Sequence, residues 1–152
     1  MSYTDLARPF LRAWKEGGLR PLAPIAAELV TERVPRPAVE AITFIPADGD
    51  RSVRRGHQPA QALARELGRL WGIDVAPLIR RSKAVGRQTG LDLAERRRNM
   101  RGAFVAAGAV PATVAVVDDV YTTGATAGAA AAALRAAGAK SIDVLSFARA
   151  VR

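Results

Sequence analysis

Residues 113–126 read TVAVVDDVYTTGAT, and this stretch decides the fold. The continuous apolar run Val114–Val117 is typical of a strand buried on both faces of a sheet. Two carboxylates, Asp118 and Asp119, follow it directly. The Ala-rich segment Ala125–Ala137 then predicts a helix. A strand, a polar loop and a helix in this order indicate an α/β protein with a mainly parallel sheet.

The polar loop between strand and helix has the composition of a sugar-phosphate site. Asp118 and Asp119 are acceptor-only groups, which suit the vicinal hydroxyls of a ribose. Gly124 allows the backbone to approach a ligand closely, and the helix that follows directs free N–H groups and a positive dipole end at the same place. The neighbouring hydroxyl residues are Thr122, Thr123 and Thr126. The simpler alternative is that the aspartates cap the helix and that the Thr-Gly run is an ordinary turn.

The remaining chain predicts further strands and helices in alternation. A basic loop at Ala47–Gln58 joins the first predicted strand to an amphipathic helix that starts at Pro59. The predicted helices are 4–15, 24–34, the one from Pro59 to Gly72, and Ala125–Ala137; the predicted strands are Ala41–Pro46, Ile73–Ile79, Val114–Val117 and Ile142–Phe147. This order predicts a twisted, mostly parallel sheet flanked by helices. We expect one domain over 1–152, with a helical segment at 1–37 and a core at 38–152.

Composition excludes several classes of site. The chain has no cysteine, which removes disulfides, thiolate catalysis and zinc–cysteine sites, and a single histidine, His57, which disfavours an all-protein transition-metal site. No apolar run has the length needed to span a bilayer, so the chain is expected to be cytoplasmic. The net charge of +9 fits nucleic acid, a polyanionic small molecule, or a composition that favours Arg. Much of this charge lies in residues 80–101.

The string at 113–126 resembles the signature of type I phosphoribosyltransferases for 5-phosphoribosyl 1-diphosphate (PRPP), a hydrophobic run followed by DDxxxTGxT. RRGHQPAQALARELG (54–68) and RSKAVGRQTGLDLAERRRNMRGAF (81–104) look like the ComF/GntX branch of that family. The residues that match its pattern are Arg55, Gly56, Arg81, Gln88, Leu91, Glu95, Arg96, Asn99 and Phe104. The sequence departs from the pattern at His57 and Val85, and it lacks the four-cysteine zinc ribbon that many relatives carry ahead of this domain.

The resemblance implies a role for each part of the motif. Asp118 and Asp119 would hold the ribose hydroxyls and stabilise positive charge that develops on the ribose. The loop that holds the remaining PRPP atoms would comprise Val120, Tyr121, Thr122, Thr123, Gly124, Ala125 and Thr126. Diphosphate would be bound by Pro46, Ala47, Asp48, Arg54 and Arg55. A mobile loop that closes over the site would include Arg81, Lys83, Gln88, Arg96 and Asn99. Mg²⁺ would be held mainly by PRPP itself, and a homodimer is expected.

Three functions are compatible with these residues. The first is an enzyme that transfers ribose 5-phosphate from PRPP to an unknown acceptor and releases diphosphate. The second is a non-catalytic PRPP-binding protein, an accessory factor for DNA uptake, because ComF-like proteins are associated with natural competence. The third is DNA binding through 80–101 by phosphate contacts, since aromatic residues do not interleave with this basic stretch as base stacking requires. The residues named in the motif carry the first two functions equally.

Overall fold

The computed structural model describes residues 13–14, 21–47, 58–82 and 102–149. The helices and strands in chain order are α1 (Leu22–Thr31), β1 (Ala41–Phe44), α2 (Pro59–Trp71), β2 (Ile79–Arg81), β3 (Phe104–Ala106), β4 (Thr113–Tyr121), α3 (Ala125–Ala136) and β5 (Ser141–Arg149). Of the predicted helix at 4–15, only residues 13–14 are described, and they are helical. The alternation of strands and helices that the sequence predicts is therefore present in the described part of the chain.

The main sheet has the order β1-β4-β5, and both strand pairs are parallel. Its central strand, β4, carries the motif and pairs with β1 through Ala41↔Val114 to Phe44↔Val117. Pairing with β5 runs further, from Thr113↔Ser141 to Tyr121↔Arg149. The mostly parallel sheet that the sequence predicts is confirmed.

The strand predicted at Ile73–Ile79 is mostly wrong. Within this range, Val75 forms an isolated parallel bridge to Ile42 on β1, and Ile79 begins the separate strand β2. Pro77 has no N–H to donate to a strand ladder, and Leu78 N–H turns back to the Ala76 carbonyl at 2.9 Å. Leu78 N–H also donates to Thr43 Oγ1 (3.1 Å), a side-chain atom of β1. The ladder therefore stops after one bridge, and regular pairing resumes in β2.

A second, antiparallel pair joins β2 to β3 with the register Ile79↔Ala106, Arg80↔Val105 and Arg81↔Phe104. The sequence analysis missed β3, because three residues are too few to show a period. The resemblance implied that Arg81 belongs to a mobile loop, whereas Arg81 and its neighbour Arg80 both lie in β2. We call the pair β2–β3 the ribbon.

Helices cover both faces of the main sheet, because successive side chains of β4 are apolar and point to opposite faces. Ala115 and Val117 face a core formed with α1 and α2, and Val114 and Val116 face a core formed with α3 and the ribbon. All four side chains are 0% exposed. Such burial contributes on the order of 1.5–3 kcal/mol for each large aliphatic side chain. A continuous apolar run is therefore what a central parallel strand needs.

At the amino end of the β1–β4 pair, polar groups of the two strands are hydrogen-bonded to each other. The Glu40 carboxylate accepts hydrogen bonds from Thr113 N–H (2.9 Å) and from Thr113 Oγ1 (3.0 Å). Glu40 N–H in turn donates to the Thr113 carbonyl and hydroxyl oxygens, both at 3.1 Å. This reciprocal set, which we call the Glu40–Thr113 clamp, fixes the register of the two strands.

Candidate functional site

The carboxyl end of β4 extends past its neighbour β1. Pairing with β1 ends at Phe44↔Val117, followed by one more bond from Ile45 N–H to the Val117 carbonyl (2.9 Å). The strand predicted at Val114–Val117 in fact continues to Tyr121, because β5 keeps pairing with it on the other side. The segment from Asp118 onward is thus paired on one side and faces the space beyond the end of β1 on the other.

This space lies where the connections of the sheet diverge. From β1 the chain passes through α2 to the bridge at Val75, on the side of β1 away from β4. From β4 it passes through α3 to β5, in the opposite direction, and α2 and α3 cover opposite faces. Such a switch point opens a crevice at the carboxyl ends of the two strands, where open α/β sheets bind ligands.

Asp118 and Asp119 lie in the carboxyl-terminal part of β4, just before the loop, and both residues are partly buried. Adjacent strand residues direct their side chains to opposite faces, so the two carboxylates flank the free edge of β4. Asp118 Oδ1 accepts a hydrogen bond from Asp119 N–H at 2.9 Å. The two carboxylates thus lie on either side of the edge that the crevice exposes.

The loop after β4 ends at a glycine that occupies the N-cap position of α3. Gly124 occupies the N-cap position of α3 with φ 74° and ψ 0°, in the left-handed region that favours glycine. The N-cap residue is Gly124, whereas Asp118 and Asp119 lie within β4, so neither aspartate occupies the N-cap position of α3. Thr122 and Thr123 are exposed, and Thr123 Oγ1 accepts from Ala125 N–H at 3.4 Å. Hydroxyls and helix N–H groups therefore gather at the end of β4, a combination suited to phosphate.

Tyr121 closes one side of this loop. A Cβ atom added to Gly124 would collide with the Tyr121 hydroxyl and would come within 2.9 Å of the ring carbon Cζ. Arg149, the register partner of Tyr121, places its guanidinium carbon 5.8 Å from the ring centroid. The sequence analysis missed Arg149, because it ended the last strand at Phe147 rather than Arg149. Gly124 is therefore required both by its backbone angles and by the ring beside it.

The first part of the predicted diphosphate loop lies at the same place. Pro46 and Ala47 follow directly from Ile45, the residue bonded to Val117. Arg81 Nε donates to the Pro46 carbonyl oxygen at 3.1 Å. Asp48, Arg54 and Arg55 of that loop, and Lys83, Gln88, Arg96 and Asn99 of the predicted closing loop, lie outside the described residues. The structure thus brings the start of the predicted diphosphate loop, Pro46 and Ala47, next to the motif. It also brings Arg81, a residue of the predicted closing loop, to the same place.

The described residues contain no group of three or more His, Cys, Asp or Glu side chains that could hold a metal ion. The residues present would fit a Mg²⁺ ion that keeps several waters and is held mainly through substrate phosphates, which is how Mg²⁺ commonly binds. In the same part of the chain, no helix is both long and apolar enough to cross a bilayer.

Comparison with known proteins gives one related sequence and several related folds. No protein-family model matches the chain. Competence protein F of Haemophilus influenzae is 37% identical over 116 residues, covering 73% of this chain and 51% of that protein. The chain therefore spans about half the length of the curated relative that it matches.

Solved structures of phosphoribosyltransferases share the fold. A glutamine PRPP amidotransferase from B. subtilis superposes with a TM-score of 0.58 at 20% identity, over 84% of this chain and 26% of that one. An adenine phosphoribosyltransferase gives a TM-score of 0.52 at 18% identity, over 91% of this chain and 74% of that one. A second adenine phosphoribosyltransferase, from Thermoanaerobacter pseudethanolicus, gives 0.51 at 15% identity, with coverage of 85% and 81%. At these identities the similarity shows the type I phosphoribosyltransferase fold alone.

Proposed function

The chain belongs to a ComF-like family with the type I phosphoribosyltransferase fold, and on this premise we propose that it binds PRPP at the carboxyl ends of β1 and β4. The observation that carries the proposal is the loop Thr122–Thr126. Its left-handed Gly124 opens α3 directly after Asp118 and Asp119, beside the crevice of the sheet. The PRPP-binding core is taken as residues 38–152.

The 5′-phosphate belongs at the start of α3. The first N–H groups of a helix have no intrahelical partner, and its dipole favours an anion there. Thr122 and Thr123 are exposed, so their hydroxyls are available as additional donors. Val120 to Tyr121 would set the position of this loop relative to β4, and Ala125 and Thr126 supply N–H groups of the first helical turn.

The ribose belongs against the free edge of β4. A ribose in that position would meet Asp118 on one side and Asp119 on the other, and each carboxylate can accept a hydrogen bond from a hydroxyl. Hydrogen bonds to charged groups contribute on the order of 1.5–3 kcal/mol each. The same carboxylates would stabilise positive charge that develops on the ring during transfer.

The diphosphate belongs over the loop that leaves β1. Pro46 and Ala47 begin this loop, and its remaining predicted ligands are Asp48, Arg54 and Arg55. Mg²⁺ bound to the diphosphate oxygens would neutralise charge on the leaving group. Residues 81–101, with Lys83, Gln88, Arg96 and Asn99, are proposed to exclude water from the site.

As an enzyme, the protein would transfer ribose 5-phosphate. The acceptor nucleophile forms a bond to C1′ of PRPP, the bond from C1′ to the diphosphate oxygen breaks, and diphosphate leaves with the bonding electrons. The acceptor then loses its proton to solvent or to a basic group in the site. Asp118 and Asp119 are the residues placed to act on the ribose during this step.

The second candidate is a PRPP-binding accessory protein in DNA uptake. It is favoured by the sequence similarity to a competence protein. Direct DNA contact through the basic stretch 80–101 is a further possibility of the same class, and it predicts an affinity that falls steeply with salt.

Calorimetry with the whole chain and Mg²⁺ tests binding first, and diphosphate release over a panel of purines, pyrimidines and small amines tests turnover second. We expect saturable one-to-one PRPP binding. Release of diphosphate with any acceptor favours the enzyme, whereas binding without release on the whole panel favours the accessory protein. Absence of PRPP binding would refute the proposal in both forms.

A further inference from the structure

Arg81 joins the ribbon to the loop that leaves β1. It is the last residue of β2, and its Nε donates to the Pro46 carbonyl at 3.1 Å. Its guanidinium carbon lies 5.2 Å from the centroid of the Phe104 ring, the residue that pairs with it across the ribbon. A cation over an aromatic face is held by the quadrupole of the ring. One side chain is thus fixed at two points.

Both points are anchored in the core. Phe104 is 3% exposed and packs with Ile45 and Ile79 in the same buried cluster as β4. Arg81 itself is partly buried, whereas its neighbour Arg80 is exposed. The two arginines therefore differ in environment although they are adjacent in sequence and identical in charge.

The Pro46 carbonyl is an effective point from which to orient the loop. Proline has no N–H, so the carbonyl is the one backbone hydrogen-bonding group that Pro46 offers. No cis peptide occurs among the described residues, and in a trans peptide the N–H points opposite to the carbonyl. When Arg81 holds the Pro46 carbonyl, Ala47 N–H is directed away from Arg81. The hydrogen bond thereby sets the direction of the Ala47 amide, the first N–H of the loop.

We propose that Arg81 is a positioning residue, which orients the Pro46–Ala47 peptide so that Ala47 N–H is presented to the diphosphate of PRPP. This inference rests on the proposed function of the site. It assigns Arg81 a fixed role through the backbone, in place of the role in a mobile closing loop that the sequence implies. Arg81 acts through its Nε donor, and its charge serves to hold it on Phe104.

Substitutions at this position separate the donor from the charge. In glutamine, Nε2 is the same number of bonds from Cα as Nε of arginine, so Arg81→Gln keeps an N–H donor at this place and removes the charge. Arg81→Lys keeps the charge but has a methylene at that place. Arg81→Met removes both. Arg80→Met and Arg80→Gln are matched controls on the exposed side of the same strand.

The test measures Kd for PRPP and for ribose 5-phosphate by calorimetry, with the whole chain and Mg²⁺. Ribose 5-phosphate lacks the diphosphate, so a positioning role in the diphosphate loop affects PRPP alone. We expect Arg81→Met and Arg81→Lys to raise Kd for PRPP about three- to tenfold, the effect of one hydrogen bond. Kd for ribose 5-phosphate should stay within about twofold, and Arg81→Gln should bind both ligands much like wild type. The Arg80 variants should leave both values unchanged.

Each other result overturns the inference in a recognisable way. Equal PRPP affinity in wild type and Arg81→Met would remove any role for the residue. Retained affinity in Arg81→Lys with loss in Arg81→Gln would show that charge acts, not the Nε donor. Equal losses of affinity for PRPP and ribose 5-phosphate would show that Arg81 contributes only to the general stability of the protein. If Arg81→Met fails to fold, the Gln and Lys variants still distinguish the donor from the charge. Wild type that binds no PRPP would refute the proposed function, and this inference with it.

Discussion

The two ends of the β1–β4 strand pair differ in what their polar groups bind. At the amino end, Glu40 and Thr113 bond to each other in both directions. At the carboxyl end, β1 stops first, and Asp118 and Asp119 flank an edge of β4 with which no other described strand pairs. The amino end therefore fixes the register of the two strands, and the carboxyl end is where we propose that PRPP binds.

Helix direction explains the difference. The carboxyl end of β4 is followed by the start of α3, where N–H groups are available. The amino ends of β4 and β5 meet the turn after the end of α3, where Lys140 N–H and Ser141 N–H both donate to the Ala112 carbonyl, at 2.7 and 3.0 Å. Backbone N–H groups at the amino edge of the sheet therefore donate to the Ala112 carbonyl. The carboxyl edge of the sheet lies beside the first N–H groups of α3.

The largest expected effect is at the carboxyl end. Asp118→Asn combined with Asp119→Asn removes both charged acceptors, and Kd for PRPP should rise about 100-fold or more. The matched control is Asp143→Asn, an exposed carboxylate on β5 that pairs with Ala115, closer than Asp118 to the amino end of the sheet. Calorimetry with PRPP and Mg²⁺ checks the result, and unchanged affinity in the double variant would mean that the aspartates do not hold the ribose.

Gly124→Ala should affect both stability and binding. The left-handed φ of 74° costs an L-residue about 1–2 kcal/mol, and the Tyr121 ring occupies the place of the new methyl group. Gly128→Ala is the control, because it lies inside α3 with no heavy atom within 4 Å of the added Cβ, and it should stabilise the protein by about 0.4–1 kcal/mol. Urea unfolding compares the two variants. Equal stability of both would contradict the assigned conformation of the loop.

Substitution in the Glu40–Thr113 clamp should lower the stability of the protein and leave PRPP binding unchanged. Glu40→Ala leaves the Thr113 N–H and hydroxyl without their acceptor, and the free energy of unfolding should fall by about 1 kcal/mol, because both groups are exposed to water. Affinity for PRPP should not change. A double-mutant cycle with Thr113→Val measures the coupling of the pair by urea unfolding. A large loss of PRPP affinity in Glu40→Ala would remove the distinction between the two ends.

Arg149→Met should have the smallest effect. The guanidinium lies over the Tyr121 ring, but Arg149 is exposed, so the contact is worth about 0.5–1 kcal/mol. Thermal unfolding should show a small decrease in Tm, and Arg135→Met, on an exposed position of α3, serves as the control. A decrease no larger than that of the control would show that the ring contact contributes nothing to holding the loop.

The sequence predicted the central part of the fold, including the strand-loop-helix unit that carries the candidate site, because that part is local. Val114–Val117 is apolar without interruption, and a helix beginning at Ala125 follows from composition, so the strand-loop-helix unit required no tertiary information. Pro59 likewise marked the start of α2, where the structure has it. In each case the signal and the structure occupy the same few residues.

The features that the sequence did not predict depend on contacts between distant segments. β4 runs on through Asp118 and Asp119 only because β5 pairs with it as far as Arg149, and polar residues gave no sign of this extension. The ribbon depends on Phe104 pairing with Arg81, across a long separation in sequence. The hydrogen bond from Arg81 to Pro46 is likewise a contact between distant segments, since the sequence around either residue gives no sign of the other.

A crystal of the whole chain soaked with PRPP and Mg²⁺ tests the central claim most directly. We expect density for the ribose against the edge of β4 beyond the end of β1, with its hydroxyls within hydrogen-bond distance of Asp118 and Asp119. The 5′-phosphate should lie on the N–H groups of Thr122–Thr126, and the diphosphate should lie over Pro46–Ala47. Density for PRPP at any other place on the protein, or none at saturating PRPP, would contradict the account.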